Sequence, residues 1–393
     1  MSRPLRLHLI AGEASGDRLG APLIRALRAR REIEVHGVGG EMMQAEGLAP
    51  LFPASDLAVM GLTEVLPRLP LILRRLREAA ADVAARRPDA LITIDSPSFS
   101  LRVAARARRA DPALRTIHYV APSVWAWRPG RAREMARYVD HVLALLPFEP
   151  PWMEAAGMTC DCVGHPAAAM PRPAPEDVAA IRAALGAEGG PLLCVLPGSR
   201  RGELARLSPR FGETLRRLAD RVPGLVTVLP AAPGLADAAR EAAAAWGVGT
   251  QVLDPAGSDP AAAEARKFAA MAAADAALAA SGTVSLELAA LGAPHVSAYA
   301  VAPLTALIVR NIVKVPTANL VNLLTRPDAV PEFLQERFRP AAAADALARL
   351  IEDAGARAEQ RAAFDAAMAA LGRGGPPPSE RAADSILAAI ARG

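Results

Sequence analysis

The chain alternates between short apolar runs and longer stretches whose apolar residues recur every three or four positions. The short runs read as buried parallel strands, and the longer ones as amphipathic helices laid on them. In the first half the strand runs are Leu5–Ala11, 34–38, Ala90–Ile94, 116–120, 141–146 and 160–163. In the second half they are 191–196, 225–229, Thr250–Leu253, Ala276–Ala280 and His295–Tyr299. The helix predicted over 18–30 shows the pattern well. Leu19, Leu23, Ile24 and Leu27 form one stripe behind Asp17 as N-cap. Alternating strands and helices predict parallel, doubly wound sheets. Residues 168–176 carry Pro171, Pro173 and Pro175 and read as a domain crossing. The expected architecture is α/β, with two Rossmann-like doubly wound domains facing a central cleft. The expected ranges are 1–172 and 173–340, with C-terminal helices over 341–393 packing back on the first domain. Ligands in such folds sit at the carboxyl ends of the strands.

Composition narrows the classes. The length of 393 residues accommodates two ordinary α/β domains. With 52% hydrophobic and 22% charged residues, the chain is globular and not disordered. The formal charge is +4, and Lys267 and Lys314 are the only lysines, so the basic side is arginine. This mild basicity is compatible with anionic substrates or an anionic membrane surface. Cys160, Cys162 and Cys194 form neither a disulfide framework nor a zinc spacing, and the six histidines are scattered. No metal and no cofactor are expected. A strand begins at Leu5, so no signal peptide is expected. No run of about 18 apolar residues occurs, so no transmembrane helix is expected either.

Chemistry concentrates where strands end. After Ala276–Ala280, Ser281-Gly282-Thr283 leads straight into a helix. Ser281 is the expected N-cap, Gly282 admits close approach, and the free N–H groups of the helix attract an anion, most often phosphate. Thr283 and Glu287 share one helical face, while Val284, Leu288 and Leu291 share the face that packs on the sheet. A carboxylate at Glu287 suits sugar hydroxyls; an ordinary capped helix with a surface Glu is the competing reading. The first strand ends in Gly12-Glu13-Ala14-Ser15-Gly16-Asp17. Two carboxylates there repel phosphate and suit sugar hydroxyls or acid/base work; a plain structural turn is the alternative. Asp95 ends a buried strand, where partial desolvation prepares a general base, unless it merely caps the segment that follows. Gly198, Ser199, Arg200 and Arg201 follow strand 191–196 and suit a diphosphate, since Arg binds phosphate bidentately. A solvated charged turn is the alternative there.

Two further segments carry both apolar and basic groups. Trp125 and Trp127 stand in a chain with only 4% aromatics, followed by Arg128, Arg131, Arg133 and Arg137. They line a substrate groove, or else pack in the core; the arginines meet a phosphate or a membrane surface. No strongly basic stripe or known motif accompanies them, which argues against nucleic acid. Residues 62–77 are apolar, proline-broken and basic, and include Leu66, Leu69 and Leu73. They suit an interfacial segment or an acyl-chain pocket, or a buried helix with a solvated Arg face.

Seven segments together resemble one family, the lipid-A-disaccharide synthases. They are Gly-Glu-Ala-Ser-Gly-Asp (12–17), Ile-Asp-Ser-Pro (94–97), Tyr-Val-Ala-Pro-Ser-Val-Trp-Ala-Trp-Arg (119–128), Val-Gly-His-Pro (163–166), Leu-Pro-Gly-Ser-Arg (196–200), Ala-Ser-Gly-Thr-Val-Ser-Leu-Glu (280–287) and Val-Pro-Glu-Phe-Leu-Gln (330–335). They occur in the family's order. The resemblance implies a GT-B fold and an inverting glycosyltransferase without a cofactor. Its donor is UDP-2,3-diacylglucosamine and its acceptor 2,3-diacylglucosamine 1-phosphate. Its products are the β-1,6-linked tetraacyl disaccharide 1-phosphate and UDP. The first domain would take the acceptor and face the membrane, and the second would take the UDP-sugar. The implied setting is the cytoplasmic face of the inner membrane of Gram-negative bacteria, against its anionic surface, with a homodimer as an open state of assembly.

The resemblance also assigns roles. Asp95 matches the essential aspartate, the base for the acceptor 6-hydroxyl, and Glu13 is a second candidate. Gly198, Ser199, Arg200, Ser281, Gly282 and Thr283 would hold the diphosphate, and Glu287 the ribose. Asn322 and Gln335 match polar positions near the donor. Ser15, Asp17, Trp125, Trp127, Arg128, Leu66, Leu69 and Leu73 fall on the acceptor and lipid side. The chain departs from the family pattern at Ala121-Pro122-Ser123, which puts one groove contact in doubt. It departs again at 317–322, where Asn319 competes with Asn322. The alternatives are another UDP-sugar enzyme of this fold, such as a UDP-N-acetylglucosamine 2-epimerase or a soluble-acceptor glycosyltransferase, and a non-enzymatic nucleotide-sugar sensor.

Overall fold

The computed structural model describes residues 3–57, 62–300 and 315–392, with backbone alone for 62–66. The chain divides into two units, 1–169 with 371–393, and 170–370. The first unit carries seven parallel strands: β1 (Leu5–Ala11), β2 (Ile33–Val38), β3 (Ala49–Pro50), β4 (Ala90–Ile94), β5 (Thr116–Tyr119), β6 (His141–Ala144) and β7 (Thr159–Cys162). Their order is β3-β2-β1-β4-β5-β6-β7. The helices between them are α1 (Ala14–Arg28), α2 (Glu41–Ala45), α3 (Leu62–Arg86), α4 (Ser100–Ala110), α5 (Gly130–Met135) and α6 (Pro150–Glu154). Strand alternation supplies both faces of the core. Leu7 and Leu9 pack with Leu23 and Leu27 of α1 and with Ile386 of the last helix, Pro378–Ala391. Ile10 packs on the other face with Leu76 and Val83 of α3 and Val103 of α4. Truncating one such buried leucine typically costs about 2–5 kcal/mol.

Two local expectations are corrected here. Helix α1 begins at Ala14, directly after the extended Glu13, and not near residue 18. Asp17 is therefore no cap of its own helix. It is buried, and accepts the backbone N–H groups of Met42 at 3.1 Å and Met43 at 3.0 Å, so it caps α2 from a distance. The segment 62–77 is not broken by its prolines. Helix α3 runs through Pro67 and Pro70, although each removes one hydrogen bond from the helix.

The second unit carries six parallel strands: β8 (Leu192–Leu196), β9 (Val226–Pro230), β10 (Thr250–Leu253), β11 (Ala276–Ala280), β12 (His295–Tyr299) and β13 (Glu332–Leu334). Their order is β10-β9-β8-β11-β12-β13. Helix α7 (Pro175–Ala184) precedes β8, and α8 (Arg201–Arg221), α9 (Ala236–Trp246), α10 (Pro260–Ala273) and α11 (Val284–Leu291) lie between the strands. Helices Pro340–Glu352 and Ala354–Ala370 also belong to this unit. The five residues of β11, Ala-Ala-Leu-Ala-Ala, are all buried. Both sheets are doubly wound, and all eleven expected strand runs overlap a strand. The two strands not expected, β3 and β13, are short and stand at sheet edges.

Candidate functional site

Each sheet has one point where the strand order reverses, and ligands bind outside the carboxyl ends of the strands there. In the first unit that point lies between β1 and β4, whose register pairs Ala11 with Ile94. The chain leaving them carries Glu13, Ser15 in the first turn of α1, and Asp95. Ser15 Oγ donates to Asp95 Oδ2 at 2.7 Å. Glu13 stands half-buried at the N-cap of α1. Gly12 is packed so tightly that a Cβ would lie 2.9 Å from Ser96 Oγ.

The Asp95 backbone is strained. Asp95 and Ser96 are consecutive residues with φ of 52° and 44°. Such conformations cost roughly 1–3 kcal/mol each and persist only where neighbours enforce them. Asp95 N–H donates to the Tyr119 carbonyl at 2.9 Å, and Ser100 Oγ donates to the carbonyls of Asp95 and Ser96. Behind the loop, His118 is fully buried with Nδ1 2.8 Å from Thr93 Oγ1. Burial pushes its pKa down to about 4, against the pull of Asp95, so the ring is neutral. Val120 and Arg128 also have positive φ, 81° and 55°. For a β-branched residue this is a genuine outlier.

The aromatic segment sits beside this rim. Trp125 is half-buried; its Nε1–H donates to Glu149 Oε1 at 3.2 Å, and its ring meets Phe148 edge-on at 5.0 Å. Glu149 is 3% exposed and also accepts the N–H groups of Leu145 and Leu146. Burial outweighs these three donors and pushes its carboxyl up to about 7. Trp127 is 40% exposed, with the Arg128 guanidinium 5.6 Å from its ring centre. Core packing is thereby ruled out for Trp127. In α3, Leu76, Ala79 and Val83 are buried, Leu73 is half-buried, and residues 67–70, Leu69 among them, are exposed. The side chain of Leu66 lies outside the described residues.

In the second unit the order reverses between β8 and β11, where Leu196 pairs with Ala279. The loops leaving these strands carry Gly198-Ser199-Arg200 and Ser281-Gly282-Thr283. Both lead into helices, α8 and α11, whose N-cap residues Arg200 and Thr283 make no side-chain cap bond. Two sets of helix N–H groups are thus left for a ligand. Arg200 is exposed, with Nη1 3.1 Å from Glu203 Oε1. Gly282 has φ of 147° and nothing within 4 Å of where a Cβ would stand. Only glycine adopts that backbone comfortably, and the space beside it is open.

Ser281 is not the N-cap expected of it. Its hydroxyl donates to Glu332 Oε1 at 3.2 Å, and the helix starts after Thr283. Glu332 also accepts from Thr317 Oγ1 at 2.7 Å and from Ala318 N–H at 3.1 Å. One carboxylate therefore ties the 281 loop to the 317 loop, a role the sequence reading missed although Glu332 lies in the quoted 330–335 segment. Glu287 pairs with Lys267 Nζ at 2.7 Å, another partner not foreseen. Asn319 and Asn322 are both buried. Asn319 caps the helix Leu320–Leu324 and donates from Nδ2 to Ser297 Oγ at 2.7 Å. Asn322 exchanges bonds with the Val330 backbone at 2.8 and 2.9 Å. Gln335 has φ of 54°, and its carbonyl accepts from Arg210 at 2.7 Å.

The comparisons with known proteins bear on the family and the fold. A family model described as lipid-A-disaccharide synthetase matches residues 7–380. A lipid-A-disaccharide synthase from Ruegeria pomeroyi is 51% identical, over 98% of this chain and 95% of that one. One from Rhodospirillum centenum is 46% identical, over 99% and 96%. Among solved structures, a UDP-GlcNAc 2-epimerase from Neisseria meningitidis bound to UDP-GlcNAc aligns with a TM-score of 0.64. It is 12% identical, and the alignment covers 99% of this chain and 100% of that one. At that identity the likeness shows the fold alone.

Proposed function

The chain belongs to the lipid-A-disaccharide synthase family, and on that premise we propose how its residues carry the reaction. It transfers 2,3-diacylglucosamine from its UDP derivative to 2,3-diacylglucosamine 1-phosphate. The acceptor 6-hydroxyl oxygen bonds to the anomeric carbon of the donor as the bond from that carbon to the UDP oxygen breaks. The electron pair leaves with UDP, and the hydroxyl proton passes to Asp95. An α-linked donor and a β-linked product require one inversion, so a single displacement with one base suffices. Ser15 on Oδ2 fixes the Asp95 carboxylate and directs Oδ1 to the hydroxyl. Glu13 is the second candidate on the same rim.

In the second unit the UDP diphosphate takes the N–H groups at the starts of α8 and α11, with Arg200 beside them. These groups meet the charge that develops on the departing oxygen. Glu287, oriented by Lys267, accepts from the ribose hydroxyls. Glu332 acts indirectly, by holding the Ser281 loop. Asn319 and Asn322 shape the 317–322 loop through its backbone, while Gln335 lies at the exit of β13 near the donor. Residues 67–70 of α3, all exposed and with Leu69 among them, seat the protein on an anionic inner-membrane surface from the cytoplasmic side. Trp127 and Arg128 take the acceptor side. Among the described residues no helix is long and apolar enough to cross a membrane.

One observation supports this reading most. Each doubly wound sheet presents its chemistry at its own reversal point, a carboxylate pair in the first unit and anion-binding turns in the second. The test is purified protein with both lipid substrates in detergent, followed by mass spectrometry. A tetraacyl disaccharide phosphate with one UDP per turnover is expected. UDP binding without disaccharide would move the acceptor to another class.

A further inference from the structure

A cavity of about 920 Å³ lies in the first unit, walled by α4, the start of the Asp95 loop exit and the segment after Trp127. Helix α4 contributes Arg102, Arg106 and Arg109, at i, i+4 and i+7 and so on one face. The opposite wall contributes Arg128, Arg131 and Arg137. Among the described residues none of these six forms an ion pair, and Glu134 is the one acidic residue of the wall. Arg108, the seventh lining arginine, is already paired with Asp140.

The chain's richness in arginine accounts for the number of these groups but not for the absence of carboxylates paired with them. Elsewhere arginines meet carboxylates, as Arg75 does Asp56 and Glu78, Arg221 does Glu352, and Arg240 does Asp254. Here like charges face one another. Burial, and then the charges of Arg128 and to a lesser extent Arg102, hold the Arg131 guanidinium below its ordinary pKa. Like charges at helical spacing are destabilising, so a face of this kind is suited to an anion that the fold does not supply. Guanidinium forks match phosphate oxygens bidentately.

The cavity also adjoins the chemistry. Pro97 and Ser98, two and three residues beyond Asp95, form part of its wall. We propose that this cavity is the site for the 1-phosphate of the acceptor sugar, an inference that rests on the acceptor assigned above. Its volume accommodates a phosphorylated sugar headgroup. The acceptor's 1-phosphate and its 6-hydroxyl flank the ring oxygen from either side. A sugar held by its phosphate among the arginines therefore keeps its 6-hydroxyl on the same edge of the ring, toward the Asp95 loop that adjoins the cavity. The arginines act in binding and orientation, and the proton goes to the carboxylate on the rim.

The test is the double variant Arg106→Gln/Arg109→Gln, both exposed side chains, with Arg102→Gln as a second variant. An unchanged urea transition of the first unit, followed by the fluorescence of Trp125, Trp127 and Trp152, verifies the fold of each. KM is measured for the acceptor and for the same lipid without its phosphate. The expected result is a rise of about tenfold for the phosphorylated acceptor alone, with kcat within about twofold. Equal shifts for both lipids, or no shift, overturn the proposal. So does loss of binding to phosphatidylglycerol vesicles with the preference for phosphorylated acceptor intact, which would make the arginines a membrane headgroup site. Direct binding of 2,3-diacylglucosamine 1-phosphate in micelles separates this site from the reaction. If the wild type forms no disaccharide yet binds that lipid and the variants do not, the site stands while the function falls. If variants and wild type bind it equally, the site falls.

Discussion

Glu149 offers a test of how the rim is held. Its carboxyl is buried and accepts N–H bonds from Trp125, Leu145 and Leu146, yet burial pushes it up to about 7 from 4.5. A group whose folded pKa is raised contributes stability that is present below the unfolded pKa and lost as pH rises through the folded one. Between pH 5 and pH 8 this group alone should therefore cost the wild type about 2.5 kcal/mol of stability, because the unfolded chain gives up its proton first. Glu149→Gln carries no titrating proton. It retains an acceptor for the two backbone N–H groups but sets its amide against the Trp125 donor, a fixed loss of about 1–3 kcal/mol at every pH. Urea unfolding followed by tryptophan fluorescence reports on this unit, which holds Trp125, Trp127 and Trp152 of the four tryptophans. The stability of the variant relative to the wild type should rise by about 2.5 kcal/mol from pH 5 to pH 8, so that its sign reverses. A difference that stays flat would mean that Glu149 is ionised throughout, its three donors having outweighed burial.

Three further outcomes follow from the site. Arg200→Ala should weaken UDP binding about tenfold, read by calorimetry, because an exposed guanidinium–phosphate bond is lost. Glu332→Ala should raise the donor KM several-fold and lower the melting temperature of the second unit, since it frees Ser281, Thr317 and the Ala318 N–H together; an unchanged donor KM would remove it from the site. Leu69→Glu should reduce sedimentation with anionic vesicles while leaving UDP affinity intact, because it adds a negative charge to the exposed residues 67–70.

Long-period features were legible in the chain because burial dictates them. The apolar run Ala90–Ile94 had to be a central strand, and Asp95 had to stand at its carboxyl end. The same held for Arg200 after β8 and for Ser281-Gly282-Thr283 after β11. What failed were roles set by residues far along the chain. Asp17 serves Met42 and Met43 on the next helix, 25 and 26 residues on, and Ser281 turns to Glu332 on the last strand of its sheet. Local spacing carries no trace of either partner. Strand β13 escaped notice because three half-buried edge residues leave no period to read. The arginine cavity joins α4 to the segment after Trp127, and only the fold brings those two stretches together.

The most direct measurement is single-turnover transfer by Asp95→Asn beside its UDP dissociation constant. Loss of the general base should lower the transfer rate by about 10²–10⁴-fold. UDP affinity, carried by the second unit, should stay within about twofold. A variant that transfers at the wild-type rate would contradict the account and pass the proton to Glu13.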